Sequence, residues 1–211
     1  KLKKGYSVFC ITSSTESEGK TTCSTNIALS LAKSGKSVLL IDADLRKPAV
    51  CKTLGISVEG EKGIYDIVTG NKTFEESVKY IEKLNLYLLV ASAAVQDPSE
   101  TLASEAMANI IKQARENFDY VIVDCPPAGV VADAAIVANY TDSVIFVTSE
   151  NRVAIPQIEY ALSDLTTAKA EILGCIYNRA GSGNANFGGK SGYGYGGYFS
   201  KELAEAVENA K

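Results

Sequence analysis

The run Ser14-Thr15-Glu16-Ser17-Glu18-Gly19-Lys20-Thr21-Thr22 holds the first residues whose types and spacing could do chemistry. Its Gly-Lys-Thr core follows an apolar stretch at residues 7–12. It opens a helical pattern over 21–34, with Gly35 where a helix C-cap belongs. A strand-to-helix turn of this kind suits phosphate. Backbone amides and the helix N-terminus meet the oxygens, a lysine reaches the β- and γ-phosphates, and a hydroxyl takes Mg²⁺. The full pattern, G-x-x-x-x-G-K-[ST], asks for glycine at its first place, where Ser14 stands. Lys20 and Thr21 are thus the candidate phosphate and Mg²⁺ residues. Ser17, Glu18, Gly19 and Thr22 complete the loop.

Carboxylates supply the second pattern. Asp42 and Asp44 leave the apolar stretch at 37–42 two residues apart, hence on the same side. They repel each other unless a cation or a proton lies between them. Mg²⁺ beside one and a substrate hydroxyl beside the other would resolve that. Asp124 ends a third apolar stretch, 120–124, and precedes Cys125-Pro126-Pro127. A strand-end Asp of this kind holds Mg²⁺ directly or through water.

The elements that must position these groups follow from the spacing. Apolar stretches at 7–12, 37–42, 86–91, 120–124, 143–148 and 172–178 alternate with helical patterns, among them one over 99–117 capped by Ser99. Strands apolar throughout predict an α/β fold: a mostly parallel central sheet with helices on both faces. Ligands of such sheets sit at the carboxyl ends of the strands. The loop and the three aspartates all fall there.

Composition narrows the chemistry. The 211 residues contain no histidine, which excludes Ser-His-Asp triads, Cys-His pairs and imidazole metal sites. Proton transfer must use Asp, Glu, Lys, Tyr or Cys. A formal charge of −4 argues against a nucleic-acid partner. Five cysteines without C-x-x-C spacing read as small buried hydrophobes of a reduced, cytosolic chain. Tyr120 and Tyr177, inside strand patterns, read as core. The chain opens on Lys1 rather than Met and is read as a piece of a longer one.

Residues 181–197 hold 8 of the 17 glycines, and three of the 11 tyrosines, Tyr193, Tyr195 and Tyr198, lie within six residues of one another. Such a segment cannot bury enough apolar surface to order itself strongly. A short amphipathic helix follows over 199–211. The organisation expected is a domain over 1–180 and a Gly/Tyr-rich tail over 181–211.

Taken together, these motifs resemble the cytoplasmic kinase domain of bacterial tyrosine kinases, within the P-loop NTPase class. The most diagnostic part is Ile41-Asp42-Ala43-Asp44-Leu45-Arg46-Lys47-Pro48. Asp124-x-Pro-Pro and the Tyr-rich tail agree, and the resemblance spans roughly residues 6–199. It implies ATP and Mg²⁺ as cofactors. Lys20 and Thr21 would bind phosphates and Mg²⁺, and Asp44 and Asp124 would help hold the metal. Asp42 would take the proton of an incoming tyrosine hydroxyl. Asn178 and Arg179 end a strand where the family places its adenine-binding loop. Arg46 either offsets phosphate charge or makes a surface salt bridge. Ser17 replaces a family glycine, so the loop must avoid positive φ there or carry strain.

The resemblance further implies autophosphorylation of Tyr193, Tyr195 and Tyr198 by a neighbouring subunit, and control of capsular or exopolysaccharide synthesis and export. The implied partners are a membrane-embedded activator or polysaccharide co-polymerase acting through its cytoplasmic tail, a tyrosine phosphatase and further copies of the chain. The implied location is the cytoplasm, at the inner face of the membrane. A positioning or partitioning ATPase, and a nucleotide-binding regulatory module without kinase activity, are the alternatives.

Overall fold

Strands with no polar face must be covered on both sides, and the chain supplies two separate cores to do so. A computed structural model gives the fold and describes residues 5–57, 62–91, 95 and 97–180. In chain order the elements are β1 (Val8–Ser13), α1 (Lys20–Lys33), β2 (Val38–Asp42), α2 (Val50–Leu54), α3 (Ile64–Val68), α4 (Phe74–Ser77) and β3 (Lys79–Ile81). They continue with β4 (Leu86–Leu89), α5 (Pro98–Ala103), α6 (Glu105–Asn117), β5 (Tyr120–Asp124), α7 (Asp133–Ala138), β6 (Ser143–Ser149), α8 (Ile155–Thr167) and β7 (Ile172–Asn178). The seven strands form one sheet in the order β3-β4-β2-β5-β1-β6-β7. Every pairing is parallel except β3 with β4. The expected α/β architecture is therefore present, with an antiparallel edge that the sequence reading did not foresee.

Alternation along each strand sorts side chains between the two faces. Val8 and Cys10 of β1, Leu39 and Ile41 of β2, and Val121 and Val123 of β5 pack with α5 to α8. Phe9, Ile11, Val38, Leu40 and Ile122 pack on the other face with Ala28, Leu29 and Ala32 of α1 and Val50 and Leu54 of α2. Period-two alternation in a doubly covered sheet explains why both sets are apolar.

Several expectations need correction. The helix expected over 99–117 is two helices that break at Ser104. Pro98 begins the first, and Ser104 caps the second by accepting from the amide of Met107 (3.1 Å). Ser99 is no cap. Tyr120 stacks on Phe9 at the core margin, but Tyr177 is 57% exposed because β7 is an edge strand. Cys10 and Cys125 are buried, Cys23 and Cys51 are half-buried, and Cys175 is exposed. Tyr193, Tyr195, Tyr198 and the terminal helix lie outside the described residues. Among those described, no helix is long and apolar enough to cross a membrane.

One carboxylate pins the amino ends of the central strands. Asp142 accepts from the amides of Ser7 and Val8 (both 2.8 Å) and from the guanidinium of Arg115 on α6. Burial alone would raise its pKa, but these donors outweigh it and hold the carboxyl below its ordinary value of 3.8. A depressed carboxylate stabilises the fold above the unfolded pKa and loses that contribution as pH falls through the folded one. Asp142→Asn should therefore cost about 1–3 kcal/mol at pH 7. The gap from the parent should narrow as pH drops below 4, measured by urea unfolding at each pH.

Candidate active site

The carboxyl ends of β1, β2 and β5 bring the phosphate-type loop and the aspartates together. Gly19, at φ +95°, ends the loop, and α1 starts at Lys20. The first-turn amides of any helix lack intrahelical partners, and here they open into a cleft. The cleft encloses about 390 Å³ and is lined by Lys20, Thr21, Asp44, Arg46, Pro127 and Arg179, among others.

Lys20 is the centre of the charge pattern. Its Nζ lies 2.9 Å from Asp44 Oδ2 and 4.0 Å from Asp124 Oδ2. Burial alone would lower its pKa, but the Asp124 and Asp44 carboxylates more than offset it and hold the ammonium above its ordinary value. Asp124 is fully buried. It accepts from Thr21 Oγ1 (2.7 Å) and from Ser24 Oγ (2.8 Å). Burial raises its pKa, while Lys20 and the two hydroxyls pull the other way. Ser24, one helical turn beyond Lys20, was not foreseen. Its only sequence signal is a hydroxyl on the face of α1 that meets β5.

The two aspartates of the acid-x-acid run take different places. Asp44 lines the cleft and accepts from the amide of Lys47 (3.0 Å). Asp42 does not line it. Its carboxyl is buried and accepts from the amides of Asp44 (3.3 Å), Ala49 (3.2 Å) and Val50 (3.1 Å). Burial, joined by the nearby Asp124 charge, pushes its pKa up to about 7 despite these amides. Asp42 thus ties the segment after β2 to the strand end.

Arg46 lines the cleft while paired with a residue that the sequence reading missed. Its Nε and Nη2 donate to the two oxygens of Asp133 (2.8 and 3.2 Å), and Nη2 donates to Ser99 Oγ (2.8 Å). Ser99 in turn donates to Asp133 Oδ1 (2.6 Å). The available signal was an acid in the first turn of α7. Lys47 pairs with Glu16 at the cleft mouth (2.7 Å).

The loop departs from a glycine-rich one and is held by a buried carboxylate instead. Glu18 Oε2 accepts from Ser14 Oγ (2.8 Å) and from the amide of Thr15 (2.6 Å), while Oε1 accepts from the amide of Ser149 (3.3 Å). Asn178 lies over the loop. Its Nδ2 donates to the carbonyl of Glu18 (2.8 Å), and its Oδ1 accepts from the amide of Arg179 (2.9 Å). A Cβ at position 19 would fall 2.1 Å from Asn178 Nδ2, and at φ +95° any other residue there would be strained. Thr22 is exposed on the first turn of α1 and lines the cleft.

Among the described residues, no three carboxylate, thiol or imidazole groups converge as a metal cluster. Thr21, Asp44 and Asp124 instead offer a hydroxyl and two carboxylates. That all-oxygen set suits Mg²⁺, which keeps waters and phosphate oxygens for its remaining positions.

Ser17 has φ +65°, so the strained alternative is the one the loop adopts. The left-handed region costs a residue with a Cβ about 1–2 kcal/mol. Glycine avoids that cost but loses more entropy on folding. Ser17→Gly should accordingly stabilise by up to about 1 kcal/mol, and Ser17→Val should destabilise by at least as much. Thermal unfolding of the two variants gives the comparison.

A family model described as an AAA domain matches residues 8–173. The chain is 32% identical over 191 residues to the tyrosine-protein kinase CpsD of Streptococcus agalactiae, covering 90% of this chain and 83% of that protein. It is 35% identical over 175 residues to the succinoglycan biosynthesis transport protein ExoP of Rhizobium meliloti, covering 82% of this chain and 22% of that one. The crystal structure of the VpsO kinase domain matches with a TM-score of 0.78 at 36% identity, covering 82% of this chain and 85% of that one. Similarity of this extent to CpsD in sequence and to the VpsO domain in shape means that the chain belongs to the bacterial tyrosine kinases, as a P-loop catalytic domain.

Proposed function

We propose that this chain is an ATP-dependent protein-tyrosine kinase that autophosphorylates Tyr193, Tyr195 and Tyr198. The observation that carries the reading is the gathering of Lys20, Thr21, Asp44 and Asp124 at one cleft, at the mouth of a phosphate-type loop. Phosphoryl transfer needs positioning and charge stabilisation more than covalent help from the protein, and these residues offer both. Lys20 and the loop amides would hold the phosphates. Thr21, Asp44 and Asp124 would hold Mg²⁺, which when bound spreads the negative charge of the transferring group. Asn178 and Arg179 lie on the β7 side of the loop, where the resemblance puts the adenine.

For Asp42 as the base, a pKa of about 7 is favourable, and a carboxyl turned toward three amides is unfavourable. Asp42→Asn decides the matter: transfer retained at the parent rate excludes Asp42 as base.

The wider reading rests on the family. The chain would act at the inner face of the membrane, in control of capsular or exopolysaccharide synthesis. A membrane-embedded activator would engage it through its cytoplasmic tail, a phosphatase would reverse the modification, and self-association would allow transfer between copies. The division into a catalytic domain over 1–180 and a substrate tail over 181–211 belongs to the same proposal.

Incubation of the full-length protein and an activator tail with Mg-ATP, followed by mass spectrometry, tests it. Phosphate should appear on Tyr193, Tyr195 and Tyr198. Lys20→Met should lower transfer by roughly a hundredfold or more. ATP hydrolysis without phosphotyrosine would place the chain with the positioning ATPases instead.

A further inference from the structure

Directly after Asp124 the chain turns an apolar surface into the cleft. Pro126, Pro127, Val130 and Val131 line it, and Val130 is 57% exposed. An exposed valine on a mobile loop would mean little, but this backbone is tied down. Thr12 Oγ1 donates to the carbonyl of Pro126 (2.7 Å), and the amide of Ala128 donates to the carbonyl of Ser13 (2.8 Å). Gly129 lies so close to the loop that a Cβ there would meet the carbonyl oxygen of Ser14 at 2.4 Å. The amides of Val130 and Val131 both donate to the carbonyl of Pro127 (3.1 and 3.3 Å). The turn therefore presents a fixed apolar wall to a cleft lined elsewhere mainly by charged and hydroxyl side chains.

The same segment fixes the nearest cation. Two residues past Val131, Asp133 takes the Arg46 guanidinium through two hydrogen bonds, with Ser99 as a third partner. Arg46 is thereby held beside the wall in a set orientation. A planar guanidinium next to apolar carbon suits an aromatic ring, which can pack on the carbons and stack on the cation.

The wall and the candidate adenine residues follow different strands of the sheet, although Arg179 lines the same cleft. In the order β5-β1-β6-β7, the wall follows β5, whereas Asn178 and Arg179 end β7 on the far side of β1. The wall also lies in one cleft with Asp44, Lys20 and Thr21. A ring seated there would share the cleft with the groups proposed to hold the phosphate.

We propose that Pro127, Val130 and Val131, together with the guanidinium of Arg46, form the subsite for the phenol ring of the acceptor tyrosine. This rests on the kinase reading and adds the residues that select the acceptor. Val130 is the contact most open to change, because it is exposed and its substitution leaves the core intact.

The test titrates the full chain, with Mg-ADP present, with a peptide of residues 191–198 and with a version carrying serine for its three tyrosines, followed by NMR. The parent should bind the tyrosine peptide roughly tenfold or more tighter than the serine one. Val130→Asp should abolish that preference, and Val130→Leu should retain it. Tyr160→Ala, which removes an equally exposed ring on α8, should leave it unchanged. The proposal is overturned by a parent without preference, or by Val130→Asp with the full preference. A preference that depends on Val130, in a protein that transfers no phosphate from Mg-ATP, keeps the subsite and sinks the kinase reading.

Discussion

The ammonium of Lys20, held between Asp44 and Asp124, is the interaction on which the rest of the site depends. The side chains involved are 11%, 6% and 0% exposed. Removing such ions from water costs several kcal/mol each, and breaking one buried pair costs about 3–5 kcal/mol. The fold tolerates the cluster because each carboxylate has additional donors: Thr21 and Ser24 on Asp124, and the Lys47 amide on Asp44. Carboxylates still outnumber cations here. Burial and the Asp124 charge raise the pKa of Asp42, the direction expected where carboxylates are in excess. A divalent cation would relieve that excess, which is a physical reason for the oxygen donor set to suit Mg²⁺.

A second constraint lies beneath that pair. Phosphate loops use glycine so that backbone amides can crowd round an anion, and this loop has serine at 14 and 17. Glu18 does the shaping, as a buried carboxylate that gathers Ser14, Thr15 and Ser149 from two strand ends. It fixes a conformation that Ser17 alone would resist. Negative charge inside a loop meant for phosphate counts against anion affinity, so the position of Lys20 matters more here than in a loop of glycines.

The sheet, most of its strands and the main site residues were legible because they rest on local rules. Period-two apolar runs, a Gly-Lys-Thr turn and aspartates at strand ends all lie within short windows. What escaped depends on contacts distant in sequence. Asp133 and Ser99 reach Arg46 across 87 and 53 residues, and no spacing rule links them. The break at Ser104 was hidden because helical periodicity continues on both sides of it. Tyr177 looked like core because apolar pattern alone does not distinguish a central strand from an edge one. The different orientations of Asp42 and Asp44 depend on where the following backbone turns, which i and i+2 spacing does not determine.

Rigidity of the sheet passes directly into the site. The amide of Ala43 donates to the carbonyl of Asp124, that of Cys125 to Ile11, and that of Ala128 to Ser13. β1, β2 and β5 are therefore tied together at or within one residue of Asp42, Asp44 and Asp124. A chain with no histidine has to place carboxylates and one lysine where their charges act, since no imidazole is present to exchange protons near neutral pH. Strand ends locked to one another hold such fixed charges at set distances without reorganisation, which is how electrostatic catalysis gains its strength. Adaptability is then left to the segments beyond the strand ends, where Glu16 and Lys47 meet at the mouth of the cleft. That pair is exposed and screened by water, so it contributes little to stability and is free to separate while the charges beneath it stay in place.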